Sequence, residues 1–257
     1  MSRFTAFGFL LVAILTPATP TAAADTPTAA KKATPIPHIG CVSPDEKTIY
    51  VVGRGGSGVE AIEIETGKVR WTNTDAKYVA GTTDTLVFGY RLDESVKTPA
   101  FRLVAIDTAT GKTTVKSDPI DMPEWAMMET VDAGRRTNWQ VLAETEPGRV
   151  LVLWRAKVLK AGGIRVEGEW VASDIAAVDL KTGKVSVLDR KPTAEQLRSG
   201  NLTATYNVGS WEFSTKAQMP AAEDKLRTRI MLTAKKEGKQ LWMREVAGSI
   251  QQGPPVP

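Results

Sequence analysis

The chain has 257 residues, 33 Lys and Arg against 29 Asp and Glu for a formal charge of +4, and one Cys and one His. A single cysteine excludes an intramolecular disulfide, and a single histidine excludes a zinc site built from several His and Cys ligands. The small positive excess is not gathered into a basic run, so the composition gives no support to nucleic-acid binding.

Residues 1–24 carry one charge, Arg3, ahead of the apolar run FTAFGFLLVAIL and the small-residue stretch TPATPTAAA. A basic start, a short hydrophobic core and Ala22-Ala23-Ala24 read as a secretory signal peptide cut near Ala24, because the run is too short to span a bilayer. The mature chain is therefore expected in the periplasm or outside the cell. Residues 25–38, DTPTAAKKATPIPH, are rich in Pro, Ala and Thr and read as a linker, with His38 as a solvated linker residue. Cys41 follows Gly40 far beyond the cleavage position, which argues against a lipid anchor, and reads as a small buried hydrophobe.

Residues 39–247 read as one all-β domain of four repeats, 39–72, 78–117, 139–189 and 202–245, with 248–257 as a disordered tail. Each repeat is expected to run as a short strand, a turn, a strand, a variable loop and a final hairpin. The hairpins are the recurring signal: VEAIEIETGK, LVAIDTATGK, IAAVDLKTGK and IMLTAKKEGK set Gly67, Gly111, Gly183 and Gly238 in register. The first three share an acid, Glu63, Asp107 or Asp179, followed by Thr-Gly-Lys; aligned without gaps, the fourth keeps only Ile230, Gly238 and Lys239. Glycine supplies the positive φ of a four- or five-residue loop with a bulge. Asp107 and Asp179 are suited to bond backbone amides two residues on. Four residues after each glycine stand Trp71, Val115, Val187 and Trp242, an apolar anchor expected to point into packing. Hairpins this short are marginal alone, so the copies must stack.

Other stretches carry weaker signals. The loop GRGGSG at 53–58 lacks the Lys-Ser/Thr ending and the following helix of a phosphate loop, and reads as a strand connection. Residues 160–163 read as the tip of a protruding hairpin, and TAEQLRSG within 190–201 as a helical turn. The acid pairs Asp93-Glu94 and Glu223-Asp224 fall in polar loops without the oxygen-ligand spacing of a calcium site. Residues 118–138 are the least generic piece. Trp125, Met127 and Met128, with Arg135, Arg136 and Trp139 after them, read either as a lid over a repeat seam or as a partner-binding patch, since Trp, Met and Arg are enriched at interfaces.

The hairpin A-[IV]-[DE]-x-x-T-G-K, with Trp71 and Trp242 four residues after glycine, resembles pyrroloquinoline-quinone-like (PQQ-like) β-propeller repeats. SPDEKTIYV resembles the strand openings of other extracytoplasmic propeller repeats. The resemblance implies blades of four antiparallel strands, with the glycine turning between the last two strands and the tryptophan docking on the neighbouring blade. Family propellers commonly have about six to eight blades, and this chain holds four repeats. A closed four-bladed ring, an open arc whose edges pair in a homodimer, and a sandwich-like arrangement are all compatible with that count. Quinone-dependent members hold a metal-assisted cofactor, often beside a vicinal Cys-Cys disulfide. With one cysteine and four repeats, no cofactor, metal or catalytic residue is expected. The function expected is that of an exported, non-catalytic binding or scaffold protein presenting loops to a protein or polysaccharide. Its rival is a carboxylate-based hydrolase or lyase in a central pocket, recognisable by converging acids of raised pKa.

Overall fold

The computed structural model describes residues 34–36, 40–93, 98–122, 129–130, 135–159, 171–172, 174–190, 192–193, 205–218 and 229–246. These residues form four antiparallel sheets, with a single 3₁₀ turn, Arg54–Gly56, as their only helix. Sheet 1 has the order β1 (Thr34–Ile36), β2 (Gly40–Val42), β3 (Thr48–Val52), β4 (Val59–Glu63) and β5 (Val69–Asn73). Sheet 2 contains β6 (Tyr78–Thr82), β7 (Leu86–Leu92), β8 (Ala100–Asp107), β9 (Thr113–Lys116) and β10 (Ile120–Asp121), with β9 and β10 both on β8. Sheet 3 contains β11 (Glu129–Thr130), β12 (Arg135–Glu146), β13 (Arg149–Leu159), β14 (Val171–Ala172), β15 (Ala176–Asp179) and β16 (Val185–Val187). Sheet 4 runs in chain order through β17 (Thr205–Val208), β18 (Trp211–Gln218), β19 (Arg229–Lys236) and β20 (Lys239–Val246).

The sheets pack in the order 4-1-2-3. Sheet 1 buries both faces, so β3 is buried at every position instead of alternating with polar residues. Its Val42, Ile49, Val51, Ile62 and Ile64 pack on Phe213, Leu232 and Ala234 of sheet 4. Its opposite face, through Cys41, Tyr50, Val59 and Ala61, packs on Val87, Val104 and Ile106 of sheet 2. Sheet 2 then turns Phe88, Tyr90, Phe101 and Leu103 onto Val141, Val150, Val152 and Trp154 of sheet 3. This layout fits a β-propeller-like arrangement. No core cluster or backbone hydrogen bond among the described residues joins sheet 3 to sheet 4, and no closed ring is found.

Local chemistry explains the hairpins. In the first three copies the glycine amide bonds the carbonyl of the acid at 2.9 Å, at Gly67 to Glu63, Gly111 to Asp107 and Gly183 to Asp179. The acid's own amide bonds the carbonyl of the lysine after the glycine, closing a four-residue loop. The glycines sit at φ +68, +72 and +74, where L side chains are strained. The Asp107 carboxylate accepts from the amide and hydroxyl of Thr110, both at 2.7 Å, one residue beyond the position expected from the sequence. Asp179 reaches both the Lys181 and Thr182 amides, at 2.9 and 2.7 Å.

The fourth hairpin departs from the ungapped alignment. Lys236 pairs with Lys239 around a two-residue loop, and both central residues, Glu237 and Gly238, have positive φ (50 and 76), as in a type I′ turn. Ala234 pairs with Trp242 as Ala61 pairs with Trp71 and Ala105 with Val115, and a bulge accompanies each pair. Leu232-Thr233-Ala234 thus stands where Val59-Glu60-Ala61 stands, so Leu232 occupies the place the sequence alignment gives to Ile230.

The third hairpin has no bulge. Ser186 lies opposite Ala177, and Val187 falls opposite Ala176. A one-residue slip turns a side chain to the other face, and Val187 is 71% exposed instead of anchoring a seam.

Two further differences concern the segments between repeats. Residues 34–36, inside the stretch read as a linker, pair with 40–42 as an edge strand, a place where Pro35 costs no ladder bond. Part of 118–138 is also strand: β10 pairs with β8, β11 with β12, and β12 begins ahead of Trp139. The expected turn at Pro147-Gly148 is present, with Gly148 at φ +76 between Glu146 and Arg149. The leader 1–24, His38, Glu94, the tip 160–163, the helical turn beyond Thr193, Glu223-Asp224 and the tail 248–257 lie outside the described residues.

Candidate functional site

The residues that hold the sheets together account for most of the repeat. The Trp71 indole N–H donates to the Thr108 carbonyl at 2.9 Å, and its ring lies so close to Gly111 that a methyl group there would stand 2.6 Å from Trp71 Cγ. Trp242 repeats the arrangement on sheet 1: its indole donates to the Ile64 carbonyl at 2.6 Å, and a methyl on Gly67 would stand 2.7 Å from its ring. In both seams the acceptor is the carbonyl three residues before the glycine. At the third turn, where Val115 replaces the indole on sheet 2, backbone takes its place. A methyl on Gly183 would stand 2.3 Å from the Lys116 carbonyl, and the Asp118 amide donates to the Gly183 carbonyl at 2.9 Å. Polar bonds reinforce the seam between sheets 1 and 2. Asn73 donates to the Gly111 carbonyl at 2.9 Å, and Asp75 accepts from Lys116 at 2.8 Å and Thr113 at 2.6 Å. Those two bonds hold the Asp75 carboxyl below its ordinary range.

The fourth turn is different. Nothing lies within 4 Å of where a Cβ on Gly238 would be. Sheets 1, 2 and 3 each present an apolar face to the sheet before them in the packing order. Strand alternation gives the corresponding face of sheet 4 Glu212, Ser214 and Lys216 from β18, and Met231, Thr233 and Lys235 from β19. Met243 lies on the same face and Leu241 at the bulge, 56% and 42% exposed. Of the three large apolar side chains exposed among the described residues, two are these; Val187 is the third. The carboxylates here are engaged, Glu212 by Lys235 at 2.8 Å and Glu245 by Arg54 at 3.3 Å. Lys216 and Lys239 have no carboxylate within ion-pair distance among the described residues. Of the strands that end the four sheets' hairpins, β20 is the longest, with 8 residues against 5 in β5, 4 in β9 and 3 in β16. It pairs with no described strand other than β19.

A cleft of about 200 Å³ opens at the seam of sheets 1 and 2, lined by Ser43, Asp45, Thr48, Tyr50, Arg70, Asp84 and Thr108 among others. Arg70 donates to the Thr48 hydroxyl at 3.3 Å. Partial burial pushes the Asp45 carboxyl up, but bonds from the Ser43 hydroxyl and the Lys47 amide outweigh it and hold the group below its ordinary range. That is the opposite of the raised value a general acid needs. Burial pushes Tyr50 up to about 12 and also raises the thiol of Cys41, which is 2% exposed; this cysteine is a packed hydrophobe rather than a thiolate. Among the described residues no group of three His, Cys, Asp or Glu side chains is placed to hold a metal ion, and no helix is long and apolar enough to cross a membrane.

Of the patch read from residues 118–138, Trp125, Met127 and Met128 lie outside the described residues. Arg135, Arg136 and Trp139 stand in the first half of β12, whose backbone pairs there with Thr130, with Glu129 and Leu159, and with Ala156. The sequence reading passes over Leu241 and Met243, which flank a tryptophan in what looks like a buried run. Only the two-residue turn and the bulge tell which of the three faces outward. No protein-family model and no curated protein sequence matches the chain.

Proposed function

We propose that this chain is an exported, PQQ-like propeller-type binding or scaffold protein that presents surface to a protein or polysaccharide partner and carries out no chemistry of its own. The observation that carries this reading is the contrast between sheet faces. Three seams are built from apolar faces and docked glycine turns, whereas the second face of sheet 4 combines polar residues with exposed Leu241 and Met243. An exposed apolar ridge among lysines, beside a long edge strand, is the composition of an interaction surface. The leader-like start of the sequence supports export, and the Trp-on-glycine seams support the repeat type.

The test uses the chain from residue 25 onward, produced by secretion. It is titrated against a panel of soluble polysaccharides and used as bait on cell-envelope and culture-supernatant proteins, beside a variant with Leu241→Asp and Met243→Asp. Saturable binding that the variant loses while its melting curve is unchanged is the expected result. No saturable binder in either panel would overturn the reading.

A further inference from the structure

We infer that the outer edge of β20 takes up an extended segment of another protein as an added strand, and that this segment alternates apolar and acidic side chains. The inference rests on the binding-protein reading and names the partner class for the same surface. A sheet edge offers a row of main-chain donors and acceptors, and natural proteins keep such edges short, charged or covered. β5, β9 and β16 follow that rule with 5, 4 and 3 residues, while β20 runs for 8. Two exposed apolar side chains, Leu241 and Met243, stand beside that edge. An incoming strand would find main-chain partners along it and apolar contact at alternate positions, the two components of strand-addition recognition. Methionine suits such a role because its unbranched side chain adapts to different partners.

Charge selects the occupant. Glu245 is already paired within the molecule, and Lys239, at the start of β20, is left without a carboxylate among the described residues. Lys239 lies opposite Lys236, on the strand face away from Met243, which is where the acidic positions of an alternating segment fall when its apolar positions meet Met243. A second copy of this strand would bring a further lysine, an arginine and an engaged glutamate. An alternating apolar and acidic segment would bring the carboxylate that Lys239 lacks.

The probes are three synthetic octapeptides: alternating valine and glutamate, alternating valine and lysine, and the valine–glutamate peptide N-methylated at alternate amides. Each is titrated against the chain from residue 25 onward at low and high salt, with amide hydrogen exchange followed over residues 239–246. The valine–glutamate peptide is expected to bind saturably, to slow exchange in that stretch, and to weaken about tenfold on Met243→Asp. Salt should weaken it as well. Equal binding of the lysine peptide or the N-methylated peptide would overturn the inference, as would no saturation by about 1 mM. A chain that dimerises through β20 without peptide would also overturn it, by naming a second copy as the occupant. A partner from the wider panels that still binds the Met243→Asp chain would sink the edge site and leave the binding-protein reading standing.

Discussion

Gly111 and Gly238 share a backbone angle, φ +72 and +76, and differ in what stands over them. Trp71 covers the first, and nothing lies within 4 Å of a Cβ on the second. An alanine at either position meets the left-handed strain of about 1–2 kcal/mol, but only at Gly111 must it also displace an indole. Gly238→Ala is therefore expected to cost about 1 kcal/mol and Gly111→Ala about 3 kcal/mol or more in denaturant unfolding. Equal costs would show that the docked ring contributes nothing. Asp107 and Asp179 make a pH prediction. The Thr110 hydroxyl and amide, and the Thr182 hydroxyl and amide, hold these carboxyls below their ordinary range. A depressed folded-state pKa stabilises above the unfolded value and loses that contribution as pH falls through the folded one. Stability should thus decline below about pH 4, and D107N/D179N should flatten that decline, since an amide keeps the acceptor and removes the titration. Parallel pH curves for parent and variant would refute the assignment. These features were legible in the sequence because turn chemistry is local: the acid, the threonine and the glycine act on each other across a few residues.

At the scale of elements, the bulge decides what the sequence left open. Three hairpins carry it, and it brings the fourth residue after the glycine opposite the small alanine that faces the next sheet: Trp71 on Ala61, Val115 on Ala105 and, over a shorter turn, Trp242 on Ala234. Without it, Val187 lies opposite Ala176 and turns outward. Spacing from the glycine is identical in the first three copies, so the primary sequence shows no difference between Val115 and Val187; cross-strand register separates them. The outcome expected for Val187→Trp is accordingly a change in unfolding free energy within about 0.5 kcal/mol. A tryptophan at this position, placed as Trp71 and Trp242 are relative to the glycine, supplies no docking when the register turns it outward. A gain above about 1 kcal/mol would mean that β16 shifts register to accommodate the indole.

The whole molecule is held by its seams, and the seam between sheets 4 and 1 joins the last described strands to the first. Trp242, the shared apolar cluster and the ion pairs Arg244–Glu60 (3.4 Å), Arg54–Glu245 (3.3 Å) and Lys236–Glu65 (3.9 Å) lie along it. The ion pairs are partly exposed and contribute little each; the buried residues do most of the holding. The repeat count and the all-β class were legible in the sequence, but the packing order 4-1-2-3 was not, because nothing in a linear chain says which ends meet. That order makes a topological prediction. A permuted chain beginning at Thr205, running through residues 247–257 into residue 31 and ending at Thr193, preserves every seam seen among the described residues. It should melt cooperatively within about 4 °C of the parent, the shift expected for about 1 kcal/mol in a domain of this size. A chain that simply stops at Thr193 loses sheet 4 and leaves Val42, Ile49, Val51, Ile62 and Ile64, each 0% exposed in the intact molecule, facing water. Burying aliphatic side chains of that size contributes about 1.5–3 kcal/mol each. Their joint loss is as large as the whole margin of a typical domain, so the truncated chain should show no cooperative melt. A permutant that fails to melt cooperatively would show that the covalent connection from sheet 3 to sheet 4 is needed to hold sheet 4 on sheet 1.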